Sequence, residues 1–114
     1  KMASATLTLG PGCTPQDEQF PKVLASMVSE ATGRPEPMVM AMVLHSDIMP
    51  GLLQQPVATL HLALIGTEDP HRAQQMVKFL TWKLADRLGV MRSHFSVIVH
   101  FMERNHTVIA GEVR

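Results

Sequence analysis

The 114-residue sequence contains no tyrosine, one tryptophan and one cysteine, and its formal net charge is zero. The lone Cys13 excludes an intramolecular disulfide framework and an all-cysteine zinc site. Basic residues form no run, so nucleic acid is not an expected partner, because that contact begins with the neutralisation of phosphates. Proline, glycine, histidine or a charge interrupts every apolar run before it reaches transmembrane length. We therefore expect no membrane partner.

The first residues, Lys1 to Ala5, lack the apolar core of a signal peptide. We expect Met2 to be the natural start and Lys1 a vector remnant, unless the sequence begins inside a longer chain. A reducing compartment fits the single cysteine best. We therefore expect a cytoplasmic protein, with secretion without a signal peptide as the alternative.

Hydrophobic residues make up 46% of the chain and charged residues only 18%. This length predicts a single domain, residues 1–114, which has little interior in which to bury so many apolar side chains. Either the core is dense or another subunit covers part of the surface.

Two segments have the residues that begin and end a helix. Asp69 is a candidate N-cap and Pro70 suits the first helical position, while Gly89 suits the left-handed residue after the last turn. The other segment predicts a helix that becomes regular near Gln19 and ends before Gly33.

The two halves of the chain repeat the same order of elements, over about 3–45 and 57–101. Two glycine pairs, Gly10 with Gly66 and Gly33 with Gly89, are each 56 positions apart. Each half contains strand, glycine, helix, glycine and strand. The predicted strands are Ala5–Leu9, Met38–Leu44, Val57–Ile65 and Phe95–Phe101. Two β-α-β units predict an α+β fold, a four-stranded mixed sheet with both helices on one face.

The segment from Met38 to Leu44 is apolar on both sides of its strand, which predicts burial on both faces of the sheet. The helices can cover only one face, so self-association is the economical way to cover the other. Met38, Met40 and Met42 alternate along this segment. We interpret them as core or subunit interface rather than as an adaptable binding surface.

Several segments, in order along the chain, resemble the family of macrophage migration inhibitory factor. Ala31 to Pro35, Ala-Thr-Gly-Arg-Pro, resembles the Ala-Thr-Gly-Lys-Pro that ends the family's first helix. Pro56 followed by an apolar strand that ends in Ile65-Gly66 is similar to the family's third strand. Further similar segments are Phe79-Leu80-Thr81, Leu84-Ala85 and Thr107-Val108.

The resemblance implies a symmetric homotrimer of tautomerase-like subunits whose three sheets surround a central channel. It also implies keto–enol tautomerase chemistry on a small keto acid. In animal members it implies extracellular cytokine signalling, and hence a protein receptor.

Tautomerases of this family use an N-terminal proline as the catalytic base, and Ala3 stands at that position here. As the sequence is given, Ala3 has no free amine, because Met2 and Lys1 precede it. Removal of both would expose a primary amine, which is a weaker base. We therefore predict that ordinary tautomerase activity is weak or lost.

The resemblance places five further residues at the pocket. Arg34 stands where the family has a basic residue and is either a substrate-carboxylate anchor or a solvated charge at a helix end. Ile65 would offer its main-chain amide to substrate, and Met38 stands at an aromatic wall position. Ser96 and Ile98 replace a tyrosine and an asparagine that relatives supply from a neighbouring subunit.

The six histidines do not predict a metal site. None pair at the i, i+4 spacing of a helix face, and His94 and His100 would lie roughly 20 Å apart along one strand. A zinc site needs three or four converging ligands. We expect no metal and no cofactor.

Three hypotheses stay open. The first is a homotrimeric interaction protein of the cytokine-like family without a working catalytic base. The second is an active tautomerase that uses a processed Ala3 amine with Arg34 as substrate anchor. The third is an unrelated ferredoxin-like binding module, which would have no reason to form a threefold ring.

Overall fold

The structure is a computed structural model that describes residues 2–13, 15, 18–46, 57–102, 108–109 and 112–113. Lys1, Pro56, His106 and Thr107, which entered the sequence analysis, lie outside these residues. The elements in chain order are β1 (Ala3–Leu9), α1 (Phe20–Thr32), β2 (Val39–His45), β3 (Ala58–Ile65), α2 (Pro70–Leu88), β4 (Phe95–Met102), β5 (Val108–Ile109) and β6 (Glu112–Val113). Short 3₁₀ turns, Glu36–Met38 and Arg92–His94, precede β2 and β4.

The main sheet has the strand order β2-β1-β3-β4. β1 pairs with β2 in parallel and with β3 in antiparallel orientation, and β3 pairs with β4 in parallel. Each β-α-β unit therefore supplies one parallel pair, and the antiparallel contact between β1 and β3 joins the two units. The predicted four-stranded mixed sheet is confirmed. β5 and β6 form a separate two-stranded sheet.

Both helices end on a glycine, as their sequences predict. Gly33 and Gly89 have φ of 74° and 69°, the left-handed conformation that costs glycine least. At the other end of α2, the Asp69 carboxylate accepts a hydrogen bond from the backbone N–H of Arg72 at 3.3 Å. Pro21 lies in the first turn of α1, where a missing N–H breaks no helical hydrogen bond.

One face of the sheet packs against both helices and forms the core. β1 and β3 alternate between buried and more accessible residues, because successive side chains point to opposite faces of a strand. The largest fully buried side chains are Leu7, Leu9, Leu24, Val28, Leu60, Leu62, Leu64, Leu80 and Leu84. Among the described residues, no helix is both long enough and apolar enough to cross a membrane.

The opposite face of the sheet, which we call the open face, is only partly apolar. Along β2 it presents Met40, Met42 and Leu44, and both methionines are 55% exposed. On β1 and β3 it presents hydroxyl and imidazole side chains, including Thr6 and His61. The expected apolar second face is thus limited to β2 and parts of β4.

Met38 does not lie on a strand, so its placement in the predicted segment Met38–Leu44 was wrong. It ends the 3₁₀ turn that begins at Glu36, and β2 starts at Val39. Pro37 fixes its own backbone in a turn-compatible conformation and cannot donate to a strand ladder, which delays the start of the strand.

Candidate functional site

Ala3 begins β1 in the middle of the sheet and is fully buried. It pairs with Val39 of β2 on one side and with Leu64 of β3 on the other. Its nitrogen is a peptide nitrogen, since Met2 precedes it. A peptide nitrogen has no lone pair free to abstract a proton, so Ala3 cannot act as a base in this chain.

Met2 occupies the position next to Ala3 and extends the pairing between β1 and β3. Its carbonyl oxygen accepts a hydrogen bond from the main-chain N–H of Ile65 at 3.2 Å. Its side chain is also largely covered, at 9% exposed. The Ile65 amide, which the family resemblance assigns to substrate, is therefore already bonded within the chain.

Arg34 is brought to the same end of the sheet by the C-terminus of α1. Gly33 reverses the chain, and the Ser29 hydroxyl donates to the Arg34 carbonyl at 2.6 Å. The guanidinium donates to two main-chain carbonyls, Thr32 at 3.3 Å and Ile65 at 3.0 Å. Arg34 thus joins the end of α1 to the end of β3, directly beside the Met2–Ile65 contact.

Arg34 is only 5% exposed, so its interpretation as a solvated charge was wrong. Burial lowers the pKa of the Arg34 guanidinium, the charge of Glu68 opposes that change, and the charge of Arg72 adds to it. The buried Nε of Arg34 has no hydrogen-bond partner. The site therefore holds the Arg34 guanidinium, whose charge Glu68 partly compensates and whose Nε donor is unused.

Glu68 and Arg72 complete the charges around Arg34. The Arg72 Nε lies 3.5 Å from a Glu68 carboxylate oxygen, one turn apart at the start of α2. The sequence did not predict this pair or the hydrogen bond to the Met2 carbonyl. The position of Glu68, three residues after Ile65 and just before the α2 N-cap, was the available signal for the pair.

Met38 lies beside this end of the sheet, because the next residue, Val39, pairs with Ala3. Its side chain is exposed rather than enclosed. Within one chain it forms no wall of a closed pocket.

Ser96 and Ile98 are not brought to Ala3 within one chain. Ser96 pairs with Thr59, which pairs with Thr8, five residues along β1 from Ala3, or roughly 17 Å, and two strands across. Ile98 lies in the row of Thr6, three residues along. Both residues are on the open face near the β4 edge, where another molecule could reach them.

Within one chain, then, the structure brings together Ala3, Arg34 and Ile65, with Met38 beside them. Met2 also belongs to this group, whereas Ser96 and Ile98 lie far from it within one chain. This group contains a buried cation whose Nε is unpaired and a main-chain amide, that of Ile65, which is bonded to Met2, while the Ala3 nitrogen is a peptide nitrogen.

No protein-family model and no curated protein matches the sequence. Solved structures do match the fold. Macrophage migration inhibitory factor from Trichinella spiralis superposes with a TM-score of 0.82 at 18% identity, over 97% of this chain and 99% of that one. The same factor from Oncomelania hupensis gives 0.77 at 16% identity, over 100% and 97%.

A second group of neighbours has the same architecture. A fused 4-OT described as a symmetric trimer superposes with a TM-score of 0.79 at 18% identity, over 96% of this chain and 93% of that one. The superpositions span nearly the full length of both chains in each case. The chain therefore has the fold that macrophage migration inhibitory factor shares with the fused 4-OT proteins.

Proposed function

We propose that this protein is a homotrimeric, cytokine-like interaction protein with weak or lost tautomerase activity. One observation carries the proposal. The Met2 carbonyl holds the Ile65 amide, while the Ala3 nitrogen is a buried peptide nitrogen. In a site of this form Ala3 offers no free amine as a catalytic base, and the Ile65 amide is not free to bind substrate.

The trimer is supported by the two edges of the sheet. β2 and β4 are the outer strands of the main sheet, and each carries exposed apolar side chains: Met40, Met42 and Leu44 on β2, and Ile98, Phe101 and Met102 on β4. An exposed edge with an apolar face is a template for pairing with another chain. The symmetric trimer described for a fused 4-OT of the same fold is one arrangement that covers such edges.

The open face also supports a ring-shaped trimer with a water-filled central channel. β2 offers an apolar strip suited to subunit contact, whereas Thr6, Thr59 and His61 on the central strands are suited to water. In a ring built like the family's, the apolar strip would meet a neighbour and the polar strip would face the channel. A protein receptor would then bind the outer surface. We place the protein in the cytoplasm, or outside the cell after secretion without a signal peptide.

A second candidate function is an active tautomerase on a small enolisable keto acid. The unused, buried Nε of Arg34 favours it, because a substrate carboxylate would satisfy that donor. Pt0534, which has the same fold at a TM-score of 0.79 and 15% identity, has been crystallised inactivated by 2-oxo-3-pentynoate. This candidate requires an Ala3 amine, and therefore a chain without Met2.

The rate of phenylpyruvate tautomerisation distinguishes the interaction protein from the active tautomerase. We compare the chain that begins at Lys1, a chain that begins at Ala3, and the latter with Ala3→Pro. The interaction role predicts little or no turnover by the first two chains. Turnover by the Ala3 chain, abolished by Arg34→Ala while the fold is retained, would replace the first candidate with the second.

A further inference from the structure

Two histidines lie on adjacent strands of the open face although 38 residues separate them in the sequence. His61 of β3 pairs with Ile98 of β4, and His100 of β4 pairs with Ala63 of β3. The two imidazoles are therefore diagonal neighbours on adjacent strands and project from the same face. Because they are offset by two residues along the strand and by one strand across the sheet, their Cα atoms lie about 8 Å apart.

The surroundings leave this pair free to converge. Both histidines are exposed, and the residue opposite His100 is Ala63, whose single methyl group leaves room for the imidazole to lean towards β3. On the other side of His61 lies Thr6, its direct partner in β1. A hydroxyl at that position can accept from the second ring nitrogen, as the partners of metal-bound histidines commonly do.

We propose that His61 and His100 chelate one divalent transition-metal ion per chain, with water completing its coordination. Imidazole nitrogen suits copper, nickel and zinc, and Cu²⁺ forms the most stable complexes of the three. The described residues contain no group of three or more histidine, cysteine or acidic side chains placed to hold a metal. The site is therefore an open, exchangeable one rather than a closed structural one.

This site belongs to a single chain and does not depend on the proposed trimer or on tautomerase chemistry. In a ring, one such pair from each subunit would face the channel. The ratio of metal to chain thus distinguishes chelation within a chain from sharing on the threefold axis, since the former gives one ion per chain and the latter one ion per three chains.

The test uses the full chain and Cu²⁺ as probe, titrated calorimetrically with glycine as a competing chelator. Pulsed electron paramagnetic resonance counts the bound imidazoles. We expect one high-affinity ion per chain with two imidazole ligands. His61→Asn and His100→Asn should each weaken binding by about tenfold or more, since loss of even an outer-shell partner costs 10–100-fold.

His71→Asn is the matched control, because His71 is an exposed histidine on α2, away from the sheet. It should bind Cu²⁺ like the unaltered chain. Circular dichroism checks that each variant keeps its fold, as substitution of an exposed side chain should allow. A single imidazole in the unaltered chain, equal affinities for all variants, or one ion per three chains would overturn the proposal.

Discussion

At the scale of single residues, Arg34 has two roles that need to be separated. Its guanidinium bonds the carbonyls of Thr32 and Ile65 and so fastens α1 to β3. Its unused Nε is the donor that a ligand could engage. The first role is structural and holds whether or not the site binds anything.

Arg34→Met should therefore lower the free energy of unfolding by about 2–4 kcal/mol, because two main-chain carbonyls lose their donor in a buried region. Urea denaturation measures this loss. Arg72→Met is the control, since it removes the same charge from a side chain that is 53% exposed. It should cost less than about 1 kcal/mol. Equal losses for the two variants would show that Arg34 does not fasten these elements.

Cys13 provides a pH-dependent prediction. It is buried, and burial raises the pKa of its thiol. Above about pH 8.5, where an unfolded chain begins to lose this proton, the folded chain keeps it, so folding becomes less favourable as the pH rises. Below that pH the thiol is protonated in both the folded and the unfolded chain, so its full contribution to stability is present.

Stability of the native chain should accordingly fall faster than that of Cys13→Ala between pH 8 and 10. Thermal or urea unfolding of the two chains across this range measures the difference. Parallel curves would mean that the thiol titrates alike in both states. The comparison cancels other groups that titrate in the same range, since the two chains share them.

At the scale of elements, the start of α2 depends on one side chain. The Asp69 carboxylate accepts from the Arg72 N–H, and Asp69→Ala should lower the free energy of unfolding by about 1 kcal/mol. Asp86→Ala is the control, because it removes an exposed carboxylate from the other end of the same helix, where a negative charge is unfavourable. It should be neutral or slightly stabilising. A larger loss from Asp86→Ala would contradict the capping account.

The helices and the succession of strands and helices along the chain followed from local signals in the sequence. Asp69, Gly33 and Gly89 mark helix ends through side-chain capping and left-handed backbone, which need no tertiary context. Strand ends were less predictable. The apolar segment Met38–Leu44 was predicted as one strand, yet Met38 ends the 3₁₀ turn Glu36–Met38. β1 also begins two residues earlier than predicted, because its pairing with β3 continues to Ala3.

What the sequence could not provide was strand register. Ala3, Arg34 and Ile65 came from the resemblance, but the bond from Ile65 to the Met2 carbonyl is a main-chain contact with no side-chain signature. The pairing of Ala63 with His100 likewise depends on how β3 and β4 align. Spacing along one strand is all that a sequence displays, and it did not indicate that His61 and His100 are neighbours.

At the scale of the whole molecule, the open face and the two sheet edges predict assembly. Light scattering should give a mass three times the chain mass of 12.6 kDa. Met42→Lys places a charge in the apolar strip of β2 and should shift the population to single chains, because burying an unpaired charge at an interface is costly.

Met91→Lys is the control for that experiment. Met91 is 66% exposed and lies between α2 and β4 rather than on the sheet, so the same substitution should leave the mass unchanged. A native chain that scatters as a monomer would contradict the trimer. Equal dissociation of the Met42→Lys and Met91→Lys variants would mean that the subunit contact does not depend on the apolar strip of β2.

The proposal of weak or lost tautomerase activity depends on the Ile65 amide, to which the family resemblance assigns substrate contact. In this chain the Met2 carbonyl holds that amide. Nuclear magnetic resonance can follow its hydrogen exchange and its chemical shift during titration with phenylpyruvate. We expect the Ile65 amide of the chain containing Met2 to be protected from hydrogen exchange, and its chemical shift to stay unchanged on addition of phenylpyruvate. Rapid exchange at Ile65, together with a saturable shift on addition of phenylpyruvate, would contradict the proposal.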